Sequence, residues 1–238
     1  LLIIVEPINF TIKTNGFTAA SGLNSITSTT HSGERILSGL MDDHFVYENA
    51  ATLPGASFID GGGGINWLDY TLYTTGVTVN LTNGTAANPL TLANIRHVYG
   101  GAGNDTLTGD ANDNIFRSNG GADTIDGRGG SDTLDFSADL APHAVVLTNV
   151  GTMDGFGGTF EGPSTFDNFN LIQGSGVAGD SLTGRHAPAT WQLATMQYVS
   201  TNTIPFTGFE TLIGGSDRDT FNLTGAHAFV LRGGAGDD

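Results

Sequence analysis

The most informative absences in this chain of 238 residues are cysteine, which does not occur, and basic residues, of which there are only 8. Without cysteine, the fold has no disulfide bonds to stabilise it. The 24 acidic residues give a net charge of −16 at pH 7, and such a chain is repelled by phosphate backbones and anionic lipids. Binding to nucleic acid or to a membrane surface is therefore disfavoured, whereas bound cations would offset the repulsion between carboxylates.

Long apolar segments are also lacking, since no run approaches the roughly 18 residues that a membrane-spanning helix needs. The apolar segment 1–5 has no basic region before it and no small-residue cleavage site after it, so it is not typical of a signal peptide. No initiator Met is present, and residues 233–238 match only the beginning of a repeat described below. We therefore expect the sequence to be part of a longer chain.

Glycine is abundant, with 36 residues, about twice its average share. Thr, Asn and Asp supply much of the remainder, and these residue types favour strand edges and tight turns. No stretch of useful length shows the helical period of about 3.6 residues. The composition predicts an all-β protein with many short strands and a thin core.

A nine-residue repeat begins at Gly100. Four consecutive units read GGAGNDTLT, GDANDNIFR, SNGGADTID and GRGGSDTLD. The eighth residue of each unit is apolar: Leu107, Phe116, Ile125 and Leu134. The sixth residues are Asp105, Asn114, Asp123 and Asp132. Four units in one frame indicate a repeat architecture rather than an ordinary globular domain.

The pattern resembles the glycine-rich nonapeptide of the RTX family of secreted calcium-binding proteins. The resemblance implies a right-handed parallel β-helix with a β-roll section, in which two nonapeptides form one coil. In each nonapeptide, the first six residues form a turn that binds calcium, and the last three form a short strand. Calcium takes about six to eight oxygen ligands. Besides the aspartates, the implied ligands are the backbone carbonyls of Gly100, Ala102, Gly103, Gly127 and Gly129.

Residues 18 positions apart are expected on the same side of adjacent coils. Asp105 should therefore lie next to Asp123, and Asn114 next to Asp132. The first pair is predicted to be the better calcium site, because the second has a neutral amide where the family has a carboxylate.

Weaker repeats predict further calcium ligands. Asp180 keeps the D-x-L ending of the motif but has an extra residue in its glycine turn. Asp219 and Asp238 are 19 residues apart, and the final GGAGDD matches the first six residues of the motif. These three aspartates are included among the predicted metal ligands.

The repeats predict one continuous solenoid over residues 31–238, with strict nonapeptides at about 100–136 and further repeats at 174–184 and 209–238. Segment 32–47 keeps the nine-residue spacing of apolar residues, at Leu37 and Val46. Its sixth positions are not acidic, so coils without calcium are expected there. Residues 1–30 are expected to form an irregular cap or a docking segment.

Catalytic patterns are absent from the sequence: there is no H-E-x-x-H, no G-x-S-x-G and no cysteine nucleophile. The six histidines have no ligand spacing, and acidic pairs prove little in a chain rich in turn aspartates. Of the aromatic residues that could contact a glycan, Trp191 is favoured because it lies outside the strict repeats. Trp67 is expected to pack within the coils. The other aromatic candidates are Tyr70, Tyr73 and Tyr198.

These features predict a calcium-stabilised structural or adhesive segment of a secreted or cell-surface protein, such as a surface layer, adhesin, sheath or filament. The alternatives are a calcium-binding accessory module of a secreted enzyme and a carbohydrate-binding adhesin. Strand edges at the ends of a solenoid also predict head-to-tail self-association or continuation in a longer repeat chain. In the former case, Leu1 to Phe10 would dock near Gly233.

Overall fold

The computed structural model describes residues 9–13, 16–21, 24–29, 35–49, 57–87, 90–225 and 228–238. The chain forms two compact units. Unit 1 comprises residues 1–110 and 114–123, and unit 2 comprises residues 111–113 and 124–238. Every regular element within the described ranges is a β-strand, as the composition predicts, and these ranges hold no helix of the length and apolarity required to cross a bilayer.

The described residues of unit 1 form thirteen strands in two sheets. Their bounds are β1 Asn9–Lys13, β2 Gly16–Ser21, β3 Asn24–Thr29, β4 Arg35–Leu37, β5 His44–Tyr47, β6 Phe58–Asp60, β7 Trp67–Asp69, β8 Thr78–Asn80, β9 Thr85–Ala86, β10 Leu90–Ala93, β11 His97–Tyr99, β12 Thr106–Thr108 and β13 Ile115–Arg117. One sheet has the order β13-β11-β7-β5-β1-β2-β3, and the other has the order β12-β8-β9-β10-β6-β4.

From β4 onward, the strands of unit 1 alternate between the two sheets, except that β8, β9 and β10 lie in the same sheet. The strands of successive coils pair in parallel. β5 pairs with β7, β7 with β11, and β11 with β13, all in parallel. In the other sheet, β4 pairs with β6, β6 with β10, and β8 with β12 in the same sense. This is the topology of a parallel β-helix or β-roll. Short antiparallel strands, such as β9 between β8 and β10, are inserted into it.

Each short strand buries its central residue, because alternate side chains of a strand point to opposite faces. The predicted inward positions Leu107 and Phe116 are fully buried. The prediction for the degenerate segment 32–47 is wrong by one residue, since Leu37 is 60% exposed and the buried residues are Ile36 and Phe45. Apolar residues stand side by side at both places, so the nine-residue period held but its phase was ambiguous.

The N-terminal part of unit 1 is more regular than the expected irregular cap. Strands β1, β2 and β3 form an antiparallel meander, and β1 also pairs in parallel with β5. Phe10 is buried and stacks on Phe45 with ring centroids 4.7 Å apart. Of the predicted docking segment, residues 1–8 lie outside the described residues, and Phe10 packs within its own chain, which counts against its docking on a neighbour.

The part of unit 2 that the structure describes also forms thirteen strands. Their bounds are β14 Thr124–Asp126, β15 Thr133–Asp135, β16 Ala144–Val150, β17 Phe156–Phe160, β18 Ser164–Phe169, β19 Leu171–Gln173, β20 Ser181–Thr183, β21 Ala189–Gln192, β22 Gln197–Val199, β23 Thr203–Thr207, β24 Thr211–Ile213, β25 Asp219–Asn222 and β26 Val230–Arg232. The two sheets of unit 2 have the orders β15-β19-β23-β22-β21-β25 and β14-β18-β17-β16-β20-β24-β26.

Parallel pairs again join the coils of unit 2, for example β15 with β19, β16 with β20, and β20 with β24. Two antiparallel insertions, β16-β17-β18 and β21-β22-β23, lengthen individual coils. Leu134 and Ile125 are buried as the nonapeptide frame predicts. The expected continuity of one solenoid over residues 31–238 stays a prediction.

The burial of the aromatic residues corrects the predicted glycan contacts. Trp191 has an exposure of 0%, and its indole stacks on Phe221 at 5.7 Å within unit 2. A side chain so enclosed cannot contact a glycan, so this expectation is wrong. Tyr70, Tyr73 and Tyr198 are buried as well. Trp67, which was expected to pack within the coils, is instead partly exposed on the outer face of β7.

Candidate calcium-binding turns

The loops that hold Asp105 and Asp123 are adjacent in unit 1, as the 18-residue spacing predicts. The backbone N–H of Asp105 donates a hydrogen bond to Oδ1 of Asp123 at 2.8 Å. Asp105 is itself 2% exposed, and its two carboxylate oxygens accept hydrogen bonds from the backbone N–H groups of Gly101 and Val77, each at 2.8 Å. The coiling therefore brings the carboxylate of Asp123 to the backbone of Asp105, 18 residues earlier in the sequence.

The same arrangement occurs in unit 2 at Asp219 and Asp238. The N–H of Asp219 donates to Oδ1 of Asp238 at 2.9 Å, and Oδ2 of Asp219 accepts the N–H of Gly215 at 2.5 Å. The separation of 19 residues, one more than in the strict repeat, does not disturb this link. Oδ1 of Asp219 is buried and accepts no hydrogen bond of normal geometry in the described part of the chain, although the backbone N–H of Ala189 also acts on this carboxylate. A buried carboxylate oxygen of this kind is a suitable ligand for a hard cation.

Asp180 is fully buried despite the extra residue in its turn. Its Oδ2 accepts hydrogen bonds from Gly176 N–H at 2.9 Å and from the Ser175 hydroxyl at 2.7 Å. Its Oδ1 accepts the N–H of His143 at 2.5 Å. The carboxylates of Asp180, Asp105 and Asp219 thus all close their turns on the N–H four residues earlier.

Left-handed backbone conformations recur at the second and fourth positions of the glycine turns. In the third nonapeptide these positions are Asn119 and Gly121, with φ of 63° and 99°. In the fourth they are Arg128 and Gly130, with φ of 71° and 118°. Such angles are accessible chiefly to glycine, which explains why the motif is glycine-rich. Arg128 is held there with its guanidinium 2.9 Å from the carboxylate of Asp126.

Asparagine at the sixth position closes a turn by hydrogen bonds of its own amide. Asn66, the sixth residue of the glycine-rich segment that begins at Gly61, donates through Nδ2 to the carbonyl of Asn94 at 2.8 Å and to that of Gly63 at 3.1 Å. Asn114 likewise donates to the carbonyl of Arg96 at 2.8 Å, and its Oδ1 accepts the N–H of Asp110 at 3.0 Å. The side-chain amides of these asparagines thus donate to backbone carbonyl oxygens that a bound cation could otherwise contact. Metal binding at Asn114 stays a prediction.

The turn around Asp132 in unit 2 receives an additional carboxylate that the sequence pattern did not indicate. The N–H of Asp132 donates to Oδ1 of Asn170 at 3.1 Å. Asp154 accepts a backbone hydrogen bond from Gly130 in the same turn, yet burial, as the larger effect, raises the pKa of Asp154. The charge of Asp126 raises it further. Asp154 lies in an antiparallel insertion outside the nonapeptide frame, so no spacing rule could have found it.

The predicted backbone ligands lie in these turns. The carbonyl of Gly100 accepts a hydrogen bond from Asn119 at 2.6 Å. The carbonyl of Gly103 lies against Gly121, where an added Cβ would approach it to 2.2 Å. The remaining predicted carbonyls are those of Ala102, Gly127 and Gly129. Within the described residues, no group of three or more His, Asp or Glu side chains forms a metal cluster. A calcium ion in these turns would therefore take several of its oxygens from the backbone.

Burial raises the pKa of the Asp105 and Asp219 carboxyls, although N–H donors from Val77, Gly101 and Gly215 act in the opposite direction. The charges of Asp217 and Asp238 also raise the pKa of Asp219. A raised pKa means that the charged form is disfavoured in this environment. A divalent cation beside these carboxylates would reverse that preference.

Two histidines have acidic partners that the sequence did not indicate. Nε2 of His44 lies 2.9 Å from Oδ2 of Asp69 in unit 1. His143 is buried in unit 2 with Nε2 3.0 Å from Oδ2 of Asp139 and Nδ1 in contact with Glu161. Its ring also stacks on Phe136 at 4.3 Å. His143 lies outside the nonapeptide turns, and the pairing of both histidines depends on coil lengths that the sequence does not reveal.

Comparison with known families agrees with the position of these turns. Residues 98–135 match the family model of the RTX calcium-binding nonapeptide repeat, in four copies. The match covers all four units that begin at Gly100. This segment therefore consists of RTX-type repeats, and such repeats bind calcium ions. No curated protein matches the chain.

Proposed function

We propose that the RTX calcium-binding nonapeptide repeats make this chain a calcium-stabilised structural or adhesive segment of a secreted or cell-surface protein, which folds when it meets calcium outside the cell. The observation that carries the proposal is the adjacency of Asp105 and Asp123 inside the matched repeats. Together with nearby backbone carbonyls, these carboxylates supply the hard oxygen ligands that calcium prefers.

The charge of the chain supports a role for calcium in folding. At −16, the carboxylates repel one another, and the coiling places several of them in buried turns. The glycine-rich turns also lose much conformational entropy when they become ordered. A ligand that binds only the folded chain offsets both costs, because its binding free energy adds to the free energy of folding.

Calcium-dependent folding fits a protein that acts outside the cell. Extracellular calcium modules bind with dissociation constants of about 10⁻⁴–10⁻³ M, far above cytosolic calcium. A chain with such sites would stay unfolded before export and fold afterwards. The resemblance to RTX proteins implies export of this kind. The folded coils would then serve as a stiff acidic segment.

The proposal is tested by calorimetric calcium titration combined with far-UV circular dichroism. We expect little β-structure in excess chelator, a cooperative gain of β-signal as calcium is added, and heat of binding over the same range. Magnesium at the same concentration serves as the control, because it demands a smaller octahedral site and should not substitute. A full β-spectrum in excess chelator would contradict calcium-driven folding.

A further inference from the structure

A small cavity lies on the outer face of the sheet in unit 1 that contains β5, β7 and β11. Its volume is about 290 Å³, and it is lined by Asp42, Asp43, His44, Trp67 and Tyr99. This size is near the lower end of the roughly 300–1,000 Å³ of small-molecule sites, which suits a single ring better than a large ligand. None of these five residues belongs to the strict nonapeptides.

The parallel register explains why these side chains meet. His44 pairs with Trp67, and Trp67 pairs with His97 on the next strand. Two positions further along, Asp69 pairs with Tyr99. Because residues two apart point to the same face of a strand, both rows project outward. The register thus gathers two large aromatic rings on one face of the sheet.

The aromatic walls of the cavity are held in place by their neighbours. The His44 ring lies edge-on to both Trp67 and Tyr99, at centroid distances of 6.4 Å and 6.2 Å. His44 is fixed by Asp69, with Nε2 and Oδ2 2.9 Å apart. The His97 ring packs against Trp67 at 5.1 Å. A site with positioned walls loses little entropy when a ligand binds.

His97 supports Trp67 as a neutral ring. Burial, followed by the charge of Arg96, lowers the pKa of His97 to about 4. Its Nδ1 accepts the N–H of Ile115 at 2.9 Å, which fixes the orientation of the imidazole. The wall behind Trp67 therefore keeps the same charge over the physiological pH range.

We propose that this cavity binds one ring of a neutral hexose glycan. A hexose has C–H faces that pack on aromatic rings and hydroxyl groups that donate to carboxylates, and the cavity offers Trp67 and Tyr99 for the former and the exposed Asp42 for the latter. The same carboxylate and the net charge of −16 repel acidic sugars.

The surroundings of Tyr99 favour a neutral sugar over an organic cation. The guanidinium of Arg117 lies 4.6 Å from the centroid of the Tyr99 ring. This guanidinium already makes a cation–π interaction with the Tyr99 ring and would repel a second positive charge. A neutral ring carries no such penalty.

The chain contains only two tryptophans, which makes a direct assay available. In a Trp191→Phe background, Trp67 is the sole indole, and its emission reports on the cavity alone. The probes are cellohexaose, maltohexaose, mannohexaose, hexagalacturonate and choline, each added in saturating calcium. We expect a saturable change in Trp67 emission with at least one neutral hexamer and none with hexagalacturonate or choline.

Variants measured by calorimetry with the neutral hexamer that binds separate this cavity from the rest of the surface. Trp67→Ala should weaken binding by about tenfold or more. Asp42→Asn should weaken binding by a smaller factor, about threefold. The amide oxygen of the variant can still accept the hydrogen bond that Ile65 N–H donates to Oδ1 of Asp42 at 2.7 Å in the unmodified chain. Asp237→Asn, an exposed change in unit 2, is the matched control and should bind as the unmodified chain does.

Three outcomes would overturn the proposal: no binding of any neutral hexamer at about 10 mM, a Trp67 response to choline instead, or unchanged affinity in both Trp67→Ala and Asp42→Asn. The proposal does not depend on calcium-driven folding. Sugar binding by a chain that ignores calcium would refute the proposed function and leave this inference intact.

Discussion

Replacing Asp105 by Asn separates the two roles that its carboxylate can have, turn closure and calcium binding. Asp105 is 2% exposed and accepts two backbone hydrogen bonds of 2.8 Å. In Asp105→Asn, the amide oxygen keeps one of these bonds, while the amide nitrogen faces the other N–H donor. The loss of one buried hydrogen bond to a charged group lowers the free energy of unfolding by about 1.5–3 kcal/mol at any calcium concentration.

The calcium role adds a second, concentration-dependent effect. Each ion bound only by the folded chain makes the free energy of unfolding rise by about 1.4 kcal/mol per tenfold increase in calcium, once the site is saturated. If Asp105 and Asp123 share one ion, Asp105→Asn should reduce this slope by about 1.4 kcal/mol per tenfold calcium. Turn closure alone leaves the slope unchanged.

The assay is urea unfolding over a series of calcium concentrations, followed by Trp67 emission in a Trp191→Phe background, so that the signal comes from unit 1. Asp69→Asn is the matched control, because Asp69 lies in the same unit, is 8% exposed and accepts the N–H of Thr71 at 2.8 Å. It should lower stability without altering the slope. An unaltered slope in Asp105→Asn would refute the reasoning.

Three further predictions concern the turns, the buried histidine and the core. Gly121→Ala places a Cβ 2.2 Å from the carbonyl of Gly103 at a φ of 99°, so it should lower the free energy of unfolding in urea by about 3 kcal/mol and weaken calcium binding. The control Gly162→Ala, at a φ of 80° with open space around it, should lower it by only about 1 kcal/mol. Equal losses would contradict the close packing of the turns. Burial alone would lower the pKa of His143, but its two carboxylate partners and a third nearby carboxylate raise this pKa above the ordinary value. The stabilisation from the charged imidazole is therefore fully present below about pH 6.5 and is lost as the pH rises through the folded-state pKa. Unfolding measured from pH 6 to about 9 should show this loss in the unmodified chain and not in His143→Gln, and identical pH profiles would refute it. Trp191→Ala should lower stability by about 3–5 kcal/mol and leave hexose binding per folded molecule unchanged, and a selective loss of sugar binding would contradict its purely structural role.

The strict repeats predicted the parts of the structure that depend on local period. The 18-residue spacing of Asp105 and Asp123 and the burial of Leu107 and Phe116 followed from it directly, because one coil there equals two nonapeptides. The all-β architecture followed from the same pattern. Turn closure by Asp180 also survived an extra residue, since the carboxylate reaches back to the N–H of the residue four positions earlier.

The remaining features depend on which residues coils of unequal length place side by side. In segment 32–47, pairs of adjacent apolar residues left the phase of the nine-residue repeat ambiguous. Phe45 is the buried member of its pair, and its ring stacks on Phe10. Trp191 lies in β21, where alternate residues face the core, so its position outside the repeats did not make it exposed. The cavity at Trp67 joins strands from three coils of different length, and no single spacing reveals such a meeting.

Diffraction from crystals of the protein grown in calcium tests the central claim most directly. Anomalous scattering should reveal an ion between the loops that hold Asp105 and Asp123, coordinated by carboxylate and backbone carbonyl oxygens at about 2.3–2.6 Å. Clear density for these loops with only water, or with nothing, between them would contradict the claim that calcium holds adjacent coils together.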